Sequence, residues 1–404
     1  MRILLCAEEA PLPPFTGSRL HLATLLREIR NDHDVRVVAF AGPDEAPPGD
    51  DTVRLLPPLP RGSAAKLRRM ATSTLGGLPM GVSEMCARMR GPLREELARS
   101  RPDVVHVDSA KLAPLHPELG GLPSVLAMLD AFQLNVEAKA MASRGLRRWM
   151  HRREAARARR FGSSAYRPFD RVVAVSEQDR RELLTQDPSL RVEVIPNGVD
   201  LEAFASDDRP RDPHRMLFTG VMSYAPNVVT ARFLANEVVP RVRAEVPGAT
   251  LSLVGRSPAP AVAALAREPG VEVVGEVPEM RPWLSGARVY VCPMRAGTGI
   301  KNKLLEAMAN GLPCVATPLA LQGIDVRAGR EVLVADDAQG IAGHVVTVLG
   351  DDAVARRLGE AARAYVRDHH RWEDVGRAFS RLYRAVARER TREPGSPAGG
   401  EGAA

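Results

Sequence analysis

A series of short, near-continuous Val/Ile/Leu runs between helix-length segments is what most constrains the fold of this 404-residue chain. The first set is "RILLCA" from Arg2, "DVRVVAF" from Asp34, "DVVHVD" from Asp103, "PSVLAML" from Pro123 and "RVVAVS" from Arg171. A strand with one wet face alternates apolar and polar residues. These runs do not, so both of their faces must be covered, as in a parallel sheet flanked by helices. A polar, turn-prone break follows between Pro196 and Asp212, and the pattern then restarts with "MLFTGVM", "TLSLVG", "VEVVGEV", "ARVYVCPM", "PCVATP" and "EVLVA". Two successive sets of strand–helix alternation predict two Rossmann-like, doubly wound α/β domains, in keeping with a length too great for one core. The expected divisions are an N-terminal domain over 1–197 and a C-terminal domain over 198–372. A C-terminal helix over 373–389 follows, with the N-terminal domain as a partner to pack against. From Arg390, "RTREPGSPAGGEGAA" is too poor in apolar residues to bury a core, so 390–404 reads as a disordered tail.

Charge and composition narrow the partners. A formal charge of +7 suits acidic ligands such as nucleotide phosphates or anionic lipid, although an arginine-rich composition gives the same total without any ligand. Aromatic residues at 4% are too few for base-stacking platforms, and no zinc-finger or basic-zipper pattern occurs, so no nucleic-acid partner is expected. Cys6, Cys86, Cys292 and Cys314 are far apart and mostly in apolar runs, the pattern of buried free thiols in a reducing cytoplasm. "MRILLCAEEA" has only one basic residue and too short an apolar run for a signal peptide, and no run is long enough to span a bilayer; a cytoplasmic chain is expected. "DHD" at Asp32–Asp34 resembles a metal-binding pair, but it falls in a helix-to-strand turn where polar residues are expected anyway, and no metal is assigned. His106, inside "DVVHVD", reads as a satisfied strand-end histidine before it reads as a base. The dense basic segment 144–160, with Trp149, is either a solvated arginine-rich face or a contact with the anionic inner face of a membrane.

The chemistry concentrates in "GTGIKNKLLEAMANGLP", Gly297 to Pro313. It lies between two apolar strand runs, so Lys301 to Ala309 is predicted as a crossover helix that Gly311 terminates, starting at the carboxyl edge of a parallel sheet. That edge is where open α/β folds bind ligands, and a helix start favours anions. Gly297 and Gly299 let a phosphate approach the backbone, and Lys301 and Lys303 supply positive charge. Glu306 shares a face with Lys303 one turn deeper, where a carboxylate can accept hydrogen bonds from vicinal hydroxyls such as those of ribose. The alternative is a capped surface helix with an ordinary lysine–glutamate ion pair.

"KLLEAMANGLPCVATP" resembles the nucleotide-sugar signature of retaining glycosyltransferases of the GT-B fold, close to family 4 (group 1). "VAVSEQDRRELL", "VEVIPNGVD", "MLFTGVMSYAPNVVTARFL" and "LSLVGRSP" are similar to successive blocks of that family in the same order, and "PPFTGSRLHLATLL" resembles its N-terminal glycine loop. The resemblance implies two Rossmann-like domains facing across a cleft, an N-terminal one for the acceptor and a C-terminal one for the donor. It implies transfer of a sugar, with retention and without a metal or other cofactor, from a nucleotide-sugar to a glycan, glycolipid or small-molecule hydroxyl. By the same resemblance Glu306 holds the donor ribose and Lys303 neutralises the departing diphosphate, while Gly220 and Arg256 flank the donor phosphates and Gly17 faces the pyrophosphate. Many relatives carry a second glutamate where this chain has Thr298, which leaves the sugar to the backbone of Thr298, Gly299 and Ile300 or to other groups. A His-Asp pair of the family is here Leu129 and Asp130, so Asp130 alone is expected to contact acceptor or donor sugar. A partner protein that binds sugar nucleotides without transferring them, and a GT-B nucleotide-sugar epimerase, are the competing readings.

Overall fold

The structure, a computed structural model, describes all residues except 13–16, 43–50, 61, 129–131, 134–135, 138–144, 208, 298 and 393–404. The chain divides into two compact units, Met1–Pro196 joined by the stretch from Glu373, and Asn197–Trp372. Each is built on one wholly parallel sheet. In the first unit the strands are β1 (Arg2–Ala7), β2 (Asp34–Phe40), β3 (Val53–Leu56), β4 (Val104–Asp108), β5 (Ser124–Ala127), β6 (Arg171–Ala174) and β7 (Val192–Val194). They lie in the order β3-β2-β1-β4-β5-β6-β7. The second unit has β8 (Arg215–Thr219), β9 (Thr250–Val254), β10 (Val271–Gly275), β11 (Val289–Cys292), β12 (Cys314–Ala316) and β13 (Leu333–Val334), in the order β10-β9-β8-β11-β12-β13. Both sheets grow outward in two directions from a central pair, β1/β4 in one and β8/β11 in the other, which is the doubly wound arrangement. The central strands are buried over nearly their whole length, β1 from Ile3 to Ala7 and β11 throughout, as unbroken apolar runs require.

Two edge strands escape the apolar-run pattern, and of these β7 carries Glu193 and has no fully buried position. β3 carries Arg54 and three half-buried positions, because it lies at the sheet edge and never has the two covered faces that make its neighbours conspicuous. In the second unit, the helix-length segment after β8 consists of Ala225–Phe233, one π turn over Leu234–Val238, and Val239–Glu245. The π turn ends two residues before Pro240, which has no N–H to continue the regular ladder.

The last helix, Trp372–Arg392, belongs to the first unit from Glu373 onward. Buried His33 pairs with Ser380 Oγ at 2.9 Å, and Asp32 meets Arg384 at 3.5 Å, so the "DHD" turn serves as a seat for this helix. His106 is wholly buried in the same way, its Nδ1 2.6 Å from the Tyr383 hydroxyl and its ring stacked on Phe379. The tail boundary at Arg390 needs correction: the helix continues to Arg392, and Arg390 pairs with Asp170 at 2.9 Å. Amphipathic periodicity runs past the point where composition turns polar. All four cysteines are buried and free, and burial pushes Cys6 and Cys86 up to about 12. Among the described residues no helix is long and apolar enough to cross a membrane.

Candidate functional site

The helix Asn302–Ala309 descends from the loop after β11, so its first turn lies at the carboxyl edge of the second sheet, beside the β8/β11 reversal of strand order. Its eight residues are divided by face: Leu304, Leu305, Ala307, Met308 and Ala309 are buried, while Asn302, Lys303 and Glu306 are half-buried. The end is a Schellman turn. Gly311 adopts φ 71°, its N–H donates to Met308 O at 2.9 Å, and Leu312 N–H donates to Ala307 O at 3.0 Å.

The start of the helix differs from the sequence expectation. Lys301 stands just before the first turn and not within it, because Gly297 (φ 103°) and Gly299 (φ 73°) hold a left-handed turn that postpones regular helix to Asn302. Its buried ammonium folds back to donate to Gly299 O at 2.5 Å. Lys301 therefore braces the glycine turn.

Lys303 occupies a different environment. Its Nζ donates to Asn227 Oδ1 at 2.5 Å and sits 4.5 Å from the centre of the Phe218 ring. Asn227, on the helix Ala225–Phe233, is buried and is itself fixed by donation from Nδ2 to Val221 O at 2.9 Å. Sequence reasoning missed Asn227. The only available signal was a polar residue on the buried side of "PNVVTARF". Gly220, directly after β8, adopts φ 146°, and a Cβ there would lie 2.6 Å from Asn227 Nδ2 and 2.9 Å from Lys303 Nζ. Its carbonyl in turn would meet a Cβ on Gly255 at 1.8 Å, so the ends of β8 and β9 approach as closely as two glycines allow. Half-buried Arg256 follows Gly255, and its carbonyl accepts from Met222 N–H at 2.9 Å.

Electrostatics mark the same residues. Burial pushes the Glu306 carboxyl up to about 7, against the pull of the Lys303 charge. Burial likewise lowers the Lys303 ammonium to about 8, with the Cys292 thiol and Glu306 opposing the shift. Neither charge is fully compensated by the protein, a state that ligand groups of opposite polarity relieve: anionic oxygens at Lys303 and hydroxyl donors at Glu306. The simple surface ion pair does not describe this pair, since the ammonium is committed to Asn227.

The structure thus brings Gly220, Gly299, Lys301, Lys303 and Glu306 to one sheet edge, with Arg256 at the neighbouring strand end. The Ile300 side chain packs against the core of the second unit, leaving its backbone to the loop. Gly17 opens the helix Gly17–Ile29 in the first unit. Thr298 and Asp130, with Leu129, lie outside the described residues. Among the described residues there is no group of three or more His, Cys, Asp or Glu side chains placed to hold a metal ion.

Two doubly wound units, with a glycine-lined helix start at the switch point of the second, define the GT-B class. The solved structure of sucrose-phosphate synthase from Thermosynechococcus elongatus is similar over 96% of this chain and 99% of that one, with TM-score 0.73 and 18% identity. HepE from Anabaena, in complex with UDP and glucose, is similar over 95% and 99%, with TM-score 0.66 and 14% identity. At these identities the likeness is one of fold. The family models "Glycosyltransferase Family 4" and "Glycosyl transferases group 1" match residues 15–203 and 213–351 respectively, and the chain belongs to this glycosyltransferase family. A phosphatidyl-myo-inositol mannosyltransferase of Mycolicibacterium smegmatis is 34% identical over 227 residues, 53% of this chain and 57% of the relative. The match thus spans little more than half of that relative's length.

Proposed function

We propose that this protein is a retaining glycosyltransferase that moves a sugar from a nucleotide-sugar donor to a hydroxyl of a saccharide, glycolipid or small natural product. The observation that carries the reading is the pair Lys303 and Glu306, each pushed toward neutrality at a helix start behind two left-handed glycines. Lys303, aimed by Asn227, meets the diphosphate as negative charge grows on it, and Glu306 accepts from the ribose hydroxyls. Gly220 and the Gly297–Gly299 turn admit the phosphates to the backbone, and Arg256 adds positive charge nearby. A donor of this kind is in keeping with the family and with the UDP in the HepE complex. The protein's main task is positioning and charge stabilisation, with the leaving diphosphate helping to take the acceptor proton and Asp130 contacting a sugar.

A lipid-linked acceptor would suit the basic helix Gly145–Ala165, where exposed Trp149 is covered by Arg153 at 4.9 Å, as a peripheral contact with anionic lipid on the cytoplasmic face. The test is to incubate the protein with nucleotide sugars and acceptors of these classes, follow nucleoside diphosphate release, and read the product's anomeric configuration by NMR. Inverted product would contradict retention. Absence of acceptor-dependent release from every pair would contradict transfer.

A further inference from the structure

The helix Asn302–Ala309 has a second end. Its C-terminal turn, Asn310 to Pro313, forms the floor of a cavity of about 490 Å³ at the amino edge of the second sheet, next to the starts of β11 and β12. The helix of eight residues that separates this floor from the loop of the glycine turn is about 12 Å long at the rise of an α-helix, so the cavity lies at the opposite end of the helix from that turn. Four arginines line it: Arg211, Arg288, Arg356 and Arg363.

Two of these are committed to the fold. Arg288 donates to Val348 O at 3.0 Å and to Asp352 Oδ1 at 2.5 Å. Arg211 caps two helix ends, donating to Ala287 O at 3.0 Å and to Asn310 O at 3.3 Å. Arg211 receives carbonyl dipoles and has no carboxylate within ion-pair distance among the described residues, although Asp207 acts on its charge from farther away, and it lines the cavity together with Asp352, the partner of Arg288. Arg356 and Arg363 are exposed, seven positions apart on the helix Asp352–His369, and therefore project from one face. Glu360 lies between them on that face and also lines the cavity. This helix packs closely on the cavity floor, since a Cβ on Gly359 would come within 2.2 Å of Gly311 O.

We infer that this cavity is a binding site for a small phosphate monoester bearing hydroxyls. Arg356 and Arg363 take the phosphoryl oxygens in the field of Arg211, and Glu360 accepts from a hydroxyl; planar guanidinium groups are suited to this bidentate recognition. The inference does not depend on the glycosyltransferase reading.

Titration calorimetry with glycerol 3-phosphate at constant ionic strength tests it, using the wild type, the double variant Arg356→Gln/Arg363→Gln, and Lys303→Ala. The expected result is binding to the wild type and to Lys303→Ala, weakened about tenfold or more in the double variant. Thermal unfolding of the double variant at the wild-type temperature shows that the loss is local. Binding abolished by Lys303→Ala and unchanged in the arginine pair would place the ligand at the glycine turn and overturn the proposal, as would no binding at millimolar concentrations. Inorganic phosphate and glycerol run in parallel separate the two halves of the ligand: phosphate binding with a weaker constant supports the assignment, and glycerol binding as tightly as the ester contradicts it.

Discussion

Glu306 and Lys303 make opposite demands on pH. The unliganded carboxyl titrates near 7 because burial disfavours its charge, so a ribose that needs the carboxylate binds more tightly as pH rises toward about 7. The unliganded ammonium titrates near 8, and a diphosphate that needs its charge binds more weakly as pH rises beyond about 8. Affinity for a nucleotide sugar, whose diphosphate does not titrate in this range, should therefore peak between these values. A flat calorimetric profile from pH 6 to pH 9 on either side of about 7 and 8 would contradict the assignment. Removing the carboxylate in Glu306→Ala should cost about 2 kcal/mol of donor binding, for two charge-assisted hydrogen bonds lost. Lys303→Ala should lower kcat more than it raises donor KM, because the charge it meets grows in the transition state. Lys301→Ala acts differently: without its hold on Gly299 O the turn loosens, so KM should rise while kcat changes less. Steady-state kinetics with one donor decide between these patterns, and a larger kcat loss at Lys301 than at Lys303 would reverse the roles of the two lysines.

At the scale of elements, the glycines at the strand ends separate binding from stability. Gly255→Ala sets a methyl against the Gly220 carbonyl, backbone that cannot yield, at a φ unsuited to a side chain, so a loss of about 3 kcal/mol in urea unfolding is expected. Gly220→Ala meets the movable ends of Asn227 and Lys303, and should lose donor affinity with a smaller loss of stability. Equal destabilisation in the two variants would argue against Lys303 as the group displaced. The same elements show what the sequence discloses. Central strands such as "RILLCA" and "VYVC" are recognisable because burial on two faces leaves an unbroken apolar run, whereas edge strands β3 and β7 lack the second covered face that produces one. The shared half-buried face of Glu306 and Lys303 was legible from helix spacing. Asn227 was not, since its contact with Lys303 joins residues 76 apart in sequence. Lys301 falls outside the helix expected to begin with it: helix propensity favours it, but the preceding pair of left-handed glycines decides where regular helix begins.

For the molecule as a whole, in the function proposed, glycine-rich turns and a helix start receive the nucleotide, with the ligand charge met by lysine and backbone amides and not by a metal ion. Turnover should accordingly persist in EDTA. Loss of activity with recovery on added manganese would assign the chemistry to a metal. The central claim, a nucleotide-sugar site at the start of the helix Asn302–Ala309, is tested most directly by thermal unfolding of the wild type and Glu306→Ala against a panel of nucleoside diphosphates and nucleotide sugars. Binding to the folded state raises its stability by mass action. At least one nucleotide should raise the wild-type midpoint and raise that of Glu306→Ala by clearly less; no shift with any nucleotide, or equal shifts in both proteins, would contradict the account.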